Sequence, residues 1–107
     1  MQQVAPTELK AWLDDAARSA PVLLDVREPW EVAICRIDGS RSLPIGELIS
    51  RWPDLNPEAP TVVICHHGVR SLQVAHFLAR SGFAQPLNLR GGVAAWADEV
   101  DPSMARY

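Results

Sequence analysis

Cysteine is scarce in this chain. Cys35 and Cys65 are the only two, which excludes a disulfide-dense secreted scaffold, although the sequence alone does not decide whether the two pair. Positive charge is not in excess: ten Lys and Arg against thirteen Asp and Glu leave a net charge of −3. That balance gives no electrostatic attraction to nucleic acid or to an anionic membrane. No apolar run approaches the ~20 residues that span a bilayer. The start, Met1-Gln2-Gln3-Val4-Ala5-Pro6, lacks the basic and apolar segments of a signal peptide. Repeats and low-complexity stretches are absent too. A cytoplasmic protein is therefore expected.

What is present suits one compact domain over residues 1–107: a length of 107 residues, of which 48% are apolar. The prolines punctuate it. Thr7 is expected to cap a helix carrying Leu9, Trp12, Leu13 and Ala16 at three-to-four spacing. After Pro21, Val22-Leu23-Leu24-Asp25-Val26 reads as a buried strand. Pro29 suits the first turn of a short helix over residues 28–32. Ile37-Asp38-Gly39-Ser40 is a turn before an extended piece at Ser42-Leu43, and residues 45–51 suit another short helix.

A proline-rich connector then leads to Thr61-Val62-Val63-Ile64, a second buried β-branched strand. Residues 70–80 form the clearest helix, closed by Gly82. Leu87-Asn88-Leu89 is a third strand, and Gly91-Gly92 turns into a last helix with Val93, Ala95 and Trp96. Alternation of this kind predicts an α/β fold of three layers, a small, mostly parallel sheet with helices on both faces. Ligands in such folds sit beyond the carboxyl ends of the strands, where Cys65 falls. The tryptophans, Trp30 and Trp52 included, are expected mainly in the core.

The chemistry concentrates in Cys65-His66-His67-Gly68-Val69-Arg70-Ser71, a tight loop between strand and helix. A loop wrapped around one atom aims successive backbone N–H groups at it, and the following helix adds its positive end. Gly68 permits a backbone turn that other residues resist. An anionic sulfur on Cys65 fits that setting, as thiolate or as persulfide. His66 and His67 are expected at the loop mouth. Zinc is not expected, since no second Cys or His pair completes four ligands. His76 falls with Gln73 and Arg80 on the polar stripe of its helix. Arg70 has two readings: an anion guide, or a structural ion pair with Asp25, Glu28 or Glu31. Ser71 most simply satisfies backbone donors at the helix start.

These motifs resemble the rhodanese family over nearly the whole chain. Leu23-Leu24-Asp25-Val26-Arg27-Glu28 is similar to its first strand and Asp-Val-Arg signature, and residues 65–71 to its active loop, Cys-x-x-Gly-x-Arg-Ser. Gly82-Phe83 and Leu89-Arg90-Gly91-Gly92-Val93-Ala94-Ala95-Trp96 resemble its closing segments. The resemblance implies a sulfurtransferase that needs no cofactor. Cys65 would carry the sulfur, the amides of His66, His67, Gly68, Val69, Arg70 and Ser71 would hold it, and Asp25 and Arg27 would be supports.

Where many members have Gly-His-Ile-Pro-Gly-Ala, this chain has Cys35-Arg36-Ile37-Asp38-Gly39-Ser40. Residues 31–36 and the ending, Val100-Asp101-Pro102 and Arg106-Tyr107, are instead similar to the rhodanese domain of E1-like adenylyltransferases that activate sulfur carriers. The expected donor is thiosulfate or a persulfide; the expected acceptor is a thiol, a sulfur-carrier protein or cyanide, and Cys35 is a mark of the subgroup. A monomer is expected. Two competing readings are a phosphatase and a non-catalytic interaction module. A phosphatase loop is sized for a tetrahedral phosphate and is one residue longer than the four residues between Cys65 and Arg70, and retention of Cys65 weighs against the module.

Overall fold

The computed structural model describes residues 2–107. Five strands form one sheet: β1 (Gln3–Val4), β2 (Val22–Asp25), β3 (Arg41–Ser42), β4 (Thr61–Ile64) and β5 (Pro86–Leu89). Their spatial order is β1-β5-β4-β2-β3, and every pairing is parallel. The helices are α1 (Pro6–Asp14), α2 (Pro29–Ile34), α3 (Ile45–Arg51), α4 (Val69–Arg80) and α5 (Gly92–Glu99), with a single 3₁₀ turn at Trp52–Asp54.

Strand alternation divides the interior in two. Leu23, Val62, Ile64, Leu87 and Leu89 point to one face and pack with Leu9 and Trp12 of α1 and Val93 and Trp96 of α5. Leu24, Val63 and Cys65 point to the other, with Leu48 of α3 and Val74, Ala75 and Leu78 of α4. The central strands are therefore apolar on both faces, as a parallel sheet covered by helices requires. Each fully buried Leu, Ile or Val contributes about 1.5–3 kcal/mol relative to exposure.

Four local expectations change. Ala5, not Thr7, is the N-cap of α1: Pro6 takes the first helical position, and the Glu8 carboxylate accepts the Ala5 amide at 2.9 Å. The helix ends at Asp14, before Ala16, because the Asp15 side chain accepts the Ala17 amide at 2.9 Å and draws the chain into a turn. β1 has no counterpart in the sequence reading. Its two residues carry no periodicity, and it forms by main-chain bonds to β5, Asn88 N–H to Gln2 and Arg90 N–H to Val4. Trp30 is 62% exposed rather than buried, while Trp52 is half-buried, edge-to-face on Phe77.

At the other end of α4, Gly82 closes the helix as expected. The amides of Gly82 and Phe83 return to the carbonyls of Ala79 and Leu78 at 3.3 and 3.1 Å, a Schellman pair. In the register of the sheet Asp25 lies beside Ile64. The loops after β2 and β4 thus leave the same edge, and this sets the segment from Asp25 to Glu31 beside Cys65.

Candidate active site

Cys65 follows β4, and its side chain is buried. Its sulfur receives the backbone N–H of Gly68 at 3.1 Å and of Ser71 at 3.4 Å. The loop can close this tightly because Gly68 adopts φ +95° as the N-cap of α4. A side chain there would also press on the backbone of Gly91 at 3.0 Å and Leu89 at 3.3 Å. The amino end of α4 lies against the sulfur and favours negative charge on it.

The loop is held from outside by α5. The amides of Val93 and Ala94 donate to the carbonyls of Cys65 and His66 at 2.9 and 3.1 Å. In a planar trans peptide the N–H lies opposite the carbonyl, so drawing these carbonyls outward turns the amides of His66 and His67 the other way. This approach explains Gly92, where a Cβ would collide with the carbonyls of Cys65 and His66.

Ser71 does not cap α4 through its side chain. Its hydroxyl lies 3.2 Å from the Cys65 sulfur and bonds to Oδ1 of Asn88. Asn88, buried on β5, also donates to the Gly68 carbonyl and to Gln3 Oε1, each at 3.1 Å. It ties β1, β5 and the loop together. The sequence reading missed it, though a lone amide between Leu87 and Leu89 in a buried strand is a readable signal, since buried amides need partners.

Arg70 takes the ion-pair reading, with Glu31 rather than Asp25 or Glu28. Arg70 Nη1 donates to Glu31 Oε2 and Nη2 to Oε1, each at 2.8 Å. Glu31 is only 3% exposed and also accepts the Glu28 amide and the Tyr107 hydroxyl, each at 2.9 Å. The Arg70 bonds outweigh burial and bring the Glu31 carboxyl down to about 2; the same pair holds Arg70 above its ordinary value.

Asp25 and Arg27 form a second pair, wholly buried, with Arg27 Nη2 2.7 Å from Asp25 Oδ2 and Nε 3.0 Å from Oδ1. Arg27 reaches the Cys35 carbonyl at 2.7 Å and the Tyr107 oxygen at 3.0 Å. Burial opposes its charge, but the bonds to Asp25 and Tyr107 prevail and hold it above its ordinary value.

Tyr107 is the other residue the sequence reading missed, because its partners lie far away in the chain. Its ring stacks on His66 at 3.9 Å, and His66 stacks on His67 at 3.9 Å. Burial, aided by His67, lowers the pKa of His66. Burial raises that of Tyr107. A cavity of about 130 Å³ opens here, lined by Cys35, His66, His67, Ala94, Arg106 and Tyr107 among others. The two cysteines are not joined. Val69 turns its side chain out to solvent, and His76 is exposed on α4. Among the described residues no three His, Cys, Asp or Glu side chains group to hold a metal ion, and no helix is long and apolar enough to cross a membrane.

Residues 5–99 match the family model of the rhodanese-like domain. The chain is 35% identical to the protein named "Probable adenylyltransferase/sulfurtransferase MoeZ" of Mycobacterium tuberculosis, over 97% of its own length and 26% of that protein's. It thus spans about a quarter of that relative. A protein named sulfurtransferase from Allochromatium vinosum is 34% identical, over 78% of each chain. Among solved structures, SSP1007 of Staphylococcus saprophyticus superposes with a TM-score of 0.84 at 30% identity, covering 94% of this chain and 97% of that one.

Proposed function

The chain belongs to the rhodanese-like domain family, whose sulfurtransferase-named members include its relatives, and we propose that it transfers sulfane sulfur through a persulfide on Cys65. The observation that carries this reading is the convergence of the Gly68 and Ser71 amides on the Cys65 sulfur at the amino end of α4. Oriented amides favour an anion without a metal or cofactor.

In the first half-reaction the Cys65 thiolate attacks the outer sulfur of the donor. A new S–S bond forms and the donor's S–S bond breaks. Its electron pair leaves on sulfite if the donor is thiosulfate, or on a thiolate if it is a persulfide. Cys65 then bears S–S⁻, and the remaining loop amides from His66 to Arg70 supply the cradle for the outer sulfur. In the second half-reaction a nucleophilic acceptor takes that outer sulfur and restores the Cys65 thiolate. The acceptor is a thiol, a sulfur-carrier protein, or cyanide in an assay. Asp25 and Arg27 support the wall of the site without touching the sulfur, and the domain acts as a monomer in the cytoplasm.

Transfer of sulfur to cyanide, with thiosulfate or a short alkyl persulfide as donor, tests this. Thiocyanate should form faster than in the protein-free control with the native chain, and no faster than that control with Cys65→Ser. Equal turnover by the variant would remove Cys65 from the chemistry. A folded, reduced native chain inactive with both donors would favour a non-catalytic interaction module, for which exposed Trp30 and Val69 would be the natural contact residues.

A further inference from the structure

Three arginines at the site are each matched by a carboxylate. Arg27 is paired with Asp25 behind the loop, Arg70 with Glu31 beside it, and Arg106, on the cavity wall, with Asp98 at 2.5 Å. The remaining anion-holding elements are the amides and helix end at the sulfur, a cradle that suits one sulfur anion. A donor with a second negative charge meets no free guanidinium among these three.

Glu31 is fixed in this role. Besides the two bonds from Arg70, it accepts the Glu28 amide and the Tyr107 hydroxyl, and Tyr107 is itself bonded to Arg27 and stacked on His66. For Arg70 to swing toward an incoming anion, it would leave a buried carboxylate without its countercharge, which is strongly unfavourable. Arg70 is partly exposed, at 37%, and lies in the helix turn that carries Ser71. Its location suits an anion guide; its partner prevents it from acting as one. Tyr107, which completes the lock, lies beyond the span 5–99 that matches the family model.

From this geometry we infer that Glu31, locked by Tyr107, is a specificity-determining residue: by cancelling Arg70 it disfavours dianionic thiosulfate and selects persulfides, which carry a single charge on sulfur. The inference rests on the sulfur-transfer reading above. With a persulfide, R–S–S⁻, the Cys65 thiolate takes the outer sulfur and R–S⁻ leaves with the electron pair. With thiosulfate the leaving group is sulfite, and two negative charges must approach the thiolate.

The test compares rates of Cys65 persulfide formation from thiosulfate and from a short alkyl persulfide, in the native chain, E31Q and Y107F. The native chain should load faster from the persulfide. In E31Q, which frees the Arg70 charge, the thiosulfate-to-persulfide rate ratio should rise about tenfold, the lower range of electrostatic steering. It should rise less in Y107F, which keeps the carboxylate but loosens it. Thiosulfate loading of E31Q should also fall with added salt more steeply than that of the native chain. An unchanged ratio in both variants, or a native preference for thiosulfate, would overturn the inference while leaving sulfur transfer intact. No loading from either donor would overturn both.

Discussion

The hydroxyl oxygen of Ser71 lies 2.5 Å from Oδ1 of Asn88. Nδ2 of Asn88 is engaged by the Gly68 carbonyl and Gln3 Oε1, so its oxygen faces Ser71 and must accept. Ser71 has one proton to give, and Asn88 takes it. Toward Cys65, 3.2 Å away, the serine therefore presents a lone pair. The side chain on β5 thus orients the Ser71 hydroxyl beside Cys65 and also clamps the loop through the Gly68 carbonyl.

Asn88→Ala should remove both effects. It leaves the buried Gly68 carbonyl without that donor and frees the Ser71 hydroxyl. We expect a stability loss of about 2–3 kcal/mol by urea denaturation, with slower sulfur loading of Cys65. Full stability together with native loading would show that the clamp carries no strain.

Asp25→Ala should be more damaging. Arg27 is wholly buried and its charge is opposed by burial, so removing Asp25 leaves it uncompensated. Loss of one partner of a buried pair costs about 3–5 kcal/mol. Replacing both together, Asp25→Leu with Arg27→Met, should cost less than Asp25→Ala alone. Thermal melts of the three variants check that order.

Glu31 predicts an acid limb of stability. Its carboxyl falls from 4.5 to about 2 on folding, mainly through Arg70. A depressed carboxylate contributes stability that is fully present above its unfolded value and is lost as the pH falls through its folded one. The native chain should therefore lose stability from about pH 4.5 down to about 2. E31Q should be less stable at neutral pH and flatter across that window. Parallel curves for the two chains, measured by urea denaturation, would contradict the assignment.

The elements that locate Cys65 were legible because their signals are local. Apolar runs marked β2 and β4, Gly68 and Gly82 bounded α4, and Cys65 fell at the end of a strand in an alternating α/β pattern. The all-parallel sheet with covered faces follows from that alternation. The fine structure of the site was less legible, because it depends on pairings distant in sequence. Arg70 had three candidate carboxylates, and only packing of α2 beside the loop selects Glu31, 39 residues away. Tyr107 meets Arg27 across 80 residues, and β1 exists only because β5 offers it a free edge. Ser71 was read as a cap because its place at a helix start favours one; the Asn88 oxygen across the sheet competes for the same hydroxyl and wins.

The central claim is that Cys65 itself carries the transferred sulfur. The most direct measurement is the intact mass of the reduced chain after exposure to a short alkyl persulfide, with peptide mapping to separate Cys65 from Cys35 and with Cys65→Ser alongside. The account predicts one added sulfur atom on Cys65, absent from the variant and removed again by cyanide. Sulfur found only on Cys35, or on neither cysteine of a folded chain, would contradict it.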